Sequence, residues 1–263
     1  MSKPLSQRHR IEVEFDGGPF AGWQRQDNAP SVQQVIEEAA EHFAGGPCAC
    51  YGAGRTDAGV HALAMTAHLD LPKAVDAFTV QNALNALMRP HPIAIIRAAP
   101  VGDDFHARFS CIERRYLYRL VTRRSPLALE RGKAWRVPLI LDVEAMRHGA
   151  AHLLGLQDFT TFRSVHCQAQ TAVKTLTDIV IETDDERIDI RLRAPSFLHN
   201  QVRSIVGTLE RVAAGRWSPD DVRSALEAKD RSRCGPVAPA HGLYFDQAIY
   251  PEPGASPERD SPS

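Results

Sequence analysis

Lysine is scarce in this chain of 263 residues: 5 lysines stand against 26 arginines, and there are only 5 cysteines. The closest thiols, Cys48-Ala49-Cys50, have the spacing of neither a zinc knuckle nor a redox Cys-x-x-Cys pair, so reduced thiols in a cytoplasmic protein are expected. No apolar run approaches the roughly 18 residues that a membrane-spanning helix needs. Met1 to Arg10 holds no apolar signal core, so neither a membrane protein nor a secreted one is expected. The familiar phosphate loops are missing as well. Gly52 and Gly54 are followed by Asp57 where Gly-x-Gly-x-x-Gly needs its third glycine, and no Gly-Lys-Ser/Thr comes after. The His-Glu-x-x-His spacing of a metallohydrolase does not occur, so no metal is expected.

The arginines that are present have a use. A planar, multi-donor guanidinium suits phosphates and base edges, although a GC-rich coding sequence raises arginine without function. A net charge of -1 excludes a uniformly basic protein, so any nucleic-acid surface must come from sorting charge onto one face. Ala107 to Arg124 shows such sorting: Arg108, Arg114, Arg115, Arg119, Arg123 and Arg124 meet a single acid, Glu113. Tyr116 and Tyr118 are interleaved with them. If this is a strand, Arg114, Tyr116 and Tyr118 share one face, where Tyr116 would stack on a base and Arg114 would hold a phosphate. Both tyrosines are equally at home as ordinary sheet residues.

Tyr51 to Ala62 places Arg55 and Asp57 among small residues and three glycines. Glycine there permits unusual backbone angles and a close ligand approach. Asp57 reads either as a carboxylate doing chemistry or as a turn or helix-cap residue.

Periodicity alternates strands with helices. Ile11, Val13 and Phe15 mark a strand; a helix starts at Ser31, with Gln34 completing a capping box. A strand through Met65, Ala67 and Leu69 follows the Asp57 loop, then a helix over Phe78 to Met88 and a strand over Ile93 to Ala98. The second part reads as strand Cys111 to Thr122, helix Val143 to Leu154, strands around Lys174 to Thr183 and over Arg187 to Arg193, and helix His199 to Ala214. A helix capped by Ser218-Pro219-Asp220-Asp221 and a strand Gly242 to Tyr250 complete it. On the helix from His199, Val202, Ile205, Val206, Leu209 and Val212 form the apolar stripe and Arg203 lies off it, as a solvent-facing arginine would. The pattern predicts an α+β protein of two halves, residues 1–104 and 105–250, with helices on one side of each sheet. Residues 251–263 have too little apolar content to order themselves and read as a flexible tail.

Gly54-Arg55-Thr56-Asp57-Ala58-Gly59-Val60-His61-Ala62 resembles the catalytic loop of the TruA-type tRNA pseudouridine synthases. The likeness extends through Phe15-Asp16-Gly17 with Gly22-Trp23-Gln24, Phe105 to Tyr118, Phe197 to Leu209 and Pro239-Ala240-His241-Gly242-Leu243, from about Ile11 to Tyr250. Phe15, Gln34, Gln201 and Ser204 depart from residues frequent in that family. The resemblance implies the pseudouridine synthase fold, two similar α+β halves with mixed or antiparallel sheets and an RNA-binding cleft between them. It implies a cofactor-free isomerase acting on uridines 38 to 40 of the tRNA anticodon arm, working as a homodimer. Asp57 would be the catalytic carboxylate, Tyr116 would lie against the target base, Arg203 would reach Asp57, and Arg55 would bind the substrate. Two other readings stand beside it: a non-catalytic RNA-binding protein, and a metal-dependent hydrolase using some of the 11 histidines. His61, His68, His199 and His241 each stand alone and read as structural.

Overall fold

The computed structural model describes residues 6–252. In chain order the elements are β1 (Gln7–Phe15), α1 (Val32–Ala44), β2 (Cys50–Gly52), β3 (His61–Leu71), α2 (Ala77–Leu87), β4 (Ile93–Val101), β5 (Glu113–Val121), β6 (Trp135–Arg136), α3 (Val143–Ala151), β7 (Gly155–Asp158), β8 (Val173–Leu176), β9 (Asp178–Asp184), β10 (Arg187–Ala194), α4 (Gln201–Ala213), α5 (Pro219–Ala228) and β11 (Leu243–Ile249). The tail expected from residue 251 lies, from residue 253 on, outside the described residues.

One sheet runs through both halves in the order β4-β1-β3-β11-β5-β10-β9, with β2 added to β3 and β6 to β5. Its long pairings are antiparallel, as the α+β reading anticipates. The join is different. β11, the last strand of the chain, runs parallel to β3 through Tyr244 opposite His61 and Phe245 opposite Ala62, and antiparallel to β5. Residues paired across strands face the same way, so Phe15, Ala62, Phe245 and Tyr116, paired in succession, share one face. That face holds the common core: Ile11, Val13, Met65, Tyr118, Phe245, Ile190 and the α4 residues Ile205, Val206 and Leu209 are all buried.

Local chemistry sets the helix ends. Ser218 and Asp221 form a reciprocal capping box at α5, with Pro219 in the first turn. At α1 only half of the expected box forms. Ser31 accepts from Gln34 N at 3.3 Å, but the Gln34 amide turns outward to Glu38 Oε1 at 2.9 Å, its neighbour one turn on. The strand expected around Lys174 to Thr183 is two strands. Val173–Leu176 pairs with β7 in a separate two-stranded sheet, whereas Asp178–Asp184 joins β10. Thr177 marks the change of sheet, its N–H bonding Arg193 O at 2.8 Å.

The side of β3 opposite the helices is also covered. His68, 1% exposed, packs under the 102–112 segment, where its Nδ1 accepts from Ala107 N at 3.2 Å and its ring meets His106 at 4.6 Å. Tyr250 bonds Ala107 O at 2.7 Å, and Arg10 lies over the Tyr250 ring at 4.7 Å. Burial, helped by nearby Arg8, pushes the His68 pKa down to about 4. Because the unfolded chain then binds a proton that the folded chain refuses, stability is full above the ordinary histidine range and falls as pH drops towards 4. Urea titrations should show a loss on the order of 1–3 kcal/mol between pH 7 and pH 4.5, and His68→Gln should flatten that dependence.

Candidate active site

Asp57 stands in the turn between β2 and β3, on the loop that closes just before the β3–β11 join. Its backbone is set by neighbours rather than by the loop alone. Trp23 N bonds Thr56 O at 3.0 Å, and Gly22, at φ +105°, passes so near that a Cβ there would lie 2.4 Å from Thr56 O. Of the loop glycines, only Gly59 has a positive φ. Gly52 is needed for another reason: a Cβ would fall 2.6 Å from the Trp23 indole. The close approach that Gly52 allows is therefore taken by the protein's own tryptophan. Trp23, 3% exposed, closes the core against Phe15, while the adjacent Gln24 is exposed.

Three residues distant in sequence converge on Asp57. Arg203 Nη1 lies 3.5 Å from Asp57 Oδ2, and His199 Nε2 lies 3.1 Å from Asp57 Oδ1. Arg203 is fixed by Nε donating to Ala238 O at 2.7 Å and Nη1 donating to Asn200 Oδ1 at 2.9 Å. It is not the solvent-facing arginine that its place off the apolar stripe describes. The third residue is Tyr116, buried edge-on between Phe197 at 5.1 Å and Phe245 at 5.2 Å. Its hydroxyl faces the loop, 3.9 Å from where a Cβ on Gly54 would stand. Burial pushes the phenol pKa well up, so the hydroxyl stays protonated.

The helix expected from His199 begins only at Gln201. Asn200 takes a left-handed conformation, φ 62°, which asparagine tolerates better than most residues. Its side chain serves Arg203 instead of capping the helix, and Gln201 Oε1 accepts from Leu198 N at 2.8 Å. The irregular start releases His199 towards Asp57. This histidine is the functional candidate that the sequence conceals: it reads as a lone structural residue, and only tertiary contact brings it to the carboxylate.

Asp57, Arg55, Tyr116, His199 and Arg203 line one cleft of about 1120 Å³. Arg55 is exposed there and makes no ion pair among the described residues. The other arginines are mostly engaged. Arg114, expected to hold a phosphate, spends its fork on three carbonyls: Ala53 at 3.0 Å, Pro195 at 2.5 Å and Arg108 at 2.8 Å. Its work is to fasten the Asp57 loop to β5. Arg115 pairs with Glu113, Arg119 with Asp189 and Arg123 with Glu186. Two of the six arginines thus meet acids from elsewhere in the fold and one the segment's own Glu113, while Arg108 and Arg124 have no acidic partner among the described residues.

His61, at the start of β3, is 1% exposed; Nδ1 accepts from Gly17 N at 3.0 Å and Nε2 reaches Gly132 O at 3.0 Å. Burial and the nearby Lys133 lower its pKa, so it is the neutral ring that joins the two halves. His148 and His152 stand four residues apart at the end of α3, but no group of three His, Cys, Asp or Glu that could hold a metal ion occurs among the described residues. No helix there is long and apolar enough to cross a membrane, and the five cysteines are free.

The family model described as tRNA pseudouridine synthase matches residues 11–110 and 150–251. The tRNA pseudouridine synthase A of Maricaulis maris is 56% identical over 246 residues, covering 94% of this chain and 99% of that protein. That of Cereibacter sphaeroides is 56% identical over 248 residues, covering 93% and 96% respectively. The protein of the same name from Rhodospirillum centenum is 54% identical over 244 residues, covering 93% of this chain and 100% of its own length. The matched segments include the Asp57 loop and α4 with Arg203, and β5 with Tyr116 falls in the gap between them. With the family model over most of the chain and these relatives 54–56% identical along nearly all of it, the chain belongs to the tRNA pseudouridine synthase family.

Proposed function

We propose that this chain isomerises uridine to pseudouridine at positions 38 to 40 of the tRNA anticodon arm, with Asp57 as the catalytic carboxylate. The observation that carries the reading is the convergence on Asp57 of one basic group per carboxylate oxygen, beside a buried tyrosine in a cleft open to solvent.

The reaction exchanges the C1′–N1 bond of uridine for a C1′–C5 bond. The proton on C5 is released and one is taken up at N1, so atoms and electrons balance without a redox partner or a cofactor. A uridine inside a stem must first leave its stack, at a cost of a few kcal/mol that contacts in the cleft offset. Tyr116 supplies a fixed ring and a neutral hydroxyl against the base. Exposed and unpaired, Arg55 is free to take a phosphate or the place vacated by the base. Arg203 keeps Asp57 ionised as RNA displaces water, since an adjacent opposite charge favours the charged form. His199 holds the second oxygen, which fixes the direction of the carboxylate as a nucleophile or base. Each half, residues 1–104 and 105–250, contributes one wall: Asp57 and Arg55 from the first, Tyr116, His199 and Arg203 from the second. The working unit is a cytoplasmic homodimer that binds tRNA across both subunits.

Asp57→Asn should cut release of tritium from [5-³H]uridine-labelled tRNA transcript by about 10⁴-fold or more while the transcript still binds in a filter assay; unchanged release would sink the assignment. Arg203→Lys, which loses the planar fork held by Ala238 and Asn200, should lower kcat by about 10²-fold, and His199→Gln should lower it less, with KM for tRNA nearly unchanged in both. Equal kcat in wild type and variants would remove the positioning roles. Light scattering at assay concentration should give the mass of two chains; a single-chain mass would refute the homodimer.

A further inference from the structure

The cleft does not stop at Asp57. It continues past Gly54 to a rim of Tyr51, His106, Arg108 and Phe109, none of which the chemistry above uses. Phe109 is 76% exposed and Tyr51 50% exposed. Water is a poor setting for two large rings unless something covers them in use.

These rings are already arranged. Tyr51 stacks on the buried His68 with centroids 5.1 Å apart and planes 20° from parallel, and His106 bridges Tyr51 at 5.8 Å to Phe109 at 4.4 Å. The segment that presents them is tied down. His106 Nδ1 accepts from Arg108 N at 3.1 Å and Phe109 N at 3.3 Å, which fixes the protonated nitrogen as Nε2. Arg114 grips Arg108 O, and Tyr250 grips Ala107 O. Burial lowers the pKa of both His68 and His106, so the aromatic group is uncharged at neutral pH. Arg108 differs from Arg115, Arg119 and Arg123 in having no acidic partner among the described residues; its guanidinium lies 5.6 Å from the Phe109 centroid.

A fixed, neutral aromatic surface with one free guanidinium matches the chemistry of an unpaired nucleobase and its phosphate, because every base has a π face and each stacked base contributes about 1–3 kcal/mol. Such a base is present when the withdrawn nucleotide borders a loop, since its unpaired neighbour then loses a stacking partner as well. We propose that Tyr51, His106, Phe109 and Arg108 form a second nucleotide subsite. It stacks the unpaired RNA base next to the uridine held at Asp57, while Arg108 takes the adjoining phosphate. The inference rests on the reading of the Asp57 cleft as an RNA site.

The test compares Phe109→Ala, Phe109→Leu, Phe109→Trp and Tyr51→Ala, each made in the Asp57→Asn protein for equilibrium binding of tRNA transcript and in the active protein for tritium release. Phe109→Ala should weaken binding about 10-fold and raise KM by a similar factor, with kcat within about two-fold of the parent. Tryptophan should preserve affinity, whereas leucine, apolar but without a π face, should behave as alanine. Melting curves check that folding is intact; should Tyr51→Ala unfold, the Phe109 series alone decides. Unchanged affinity in Phe109→Ala, or leucine binding as well as tryptophan, would overturn the subsite. So would a change in mass by light scattering with RNA affinity unaltered, which would assign the rings to contact with another copy of the chain. A parent protein that releases no tritium would refute the isomerase reading and leave the binding comparison intact; normal release with equal affinities would refute the subsite alone.

Discussion

Two parallel residue pairs, Tyr244 with His61 and Phe245 with Ala62, tie the Asp57 loop to the sheet that carries Tyr116. They bring the last strand of the chain against the strand that begins where the Asp57 loop ends. On its other edge the same strand carries β5, so Tyr116 is one strand spacing from Phe245 and its hydroxyl falls at Gly54. Neutral His61 reinforces the join from the first half by bonding Gly132 of the second. Without this register the carboxylate, the tyrosine and the α4 arginine would belong to separate units.

The electrostatics of the cleft follow from which of its four arginines are left unspent. Arg114 is engaged with carbonyls, and Arg203 is committed to Ala238 and Asn200 as well as to Asp57. Arg55 and Arg108 remain without an acidic partner among the described residues. A chain with a net charge of -1 can still favour a polyanion locally when its unpaired guanidinium groups stand together at one opening.

Most of the strands and helices were legible because a half-buried element leaves a period of 2.0 or 3.6 in its sequence. The capping of α5 was legible in Ser218-Pro219-Asp220-Asp221. The Asp57 loop was singled out by a nine-residue resemblance, not by composition, which favours a turn or helix-cap residue. What could not be read depends on contacts across the fold. The reach of Arg114 to three carbonyls, the turn of His199 out of α4, and the break at Thr177 between two sheets are set by partners far away in the chain. Nor does the sequence separate Trp23 from Gln24, adjacent residues of which one is shut in against Gly52 and the other is exposed in the cleft.

The continuity of the sheet has a mechanical consequence. Enzymes built of two units on a linker can clamp a substrate by swinging one unit at a hinge. Here the walls of the cleft stand on the same hydrogen-bonded ladder, and bringing them together would require bending or unzipping it at the β3–β11 seam. Closure of that kind is opposed by the continuous sheet, so a stacked nucleotide would have to leave its helix to meet Asp57.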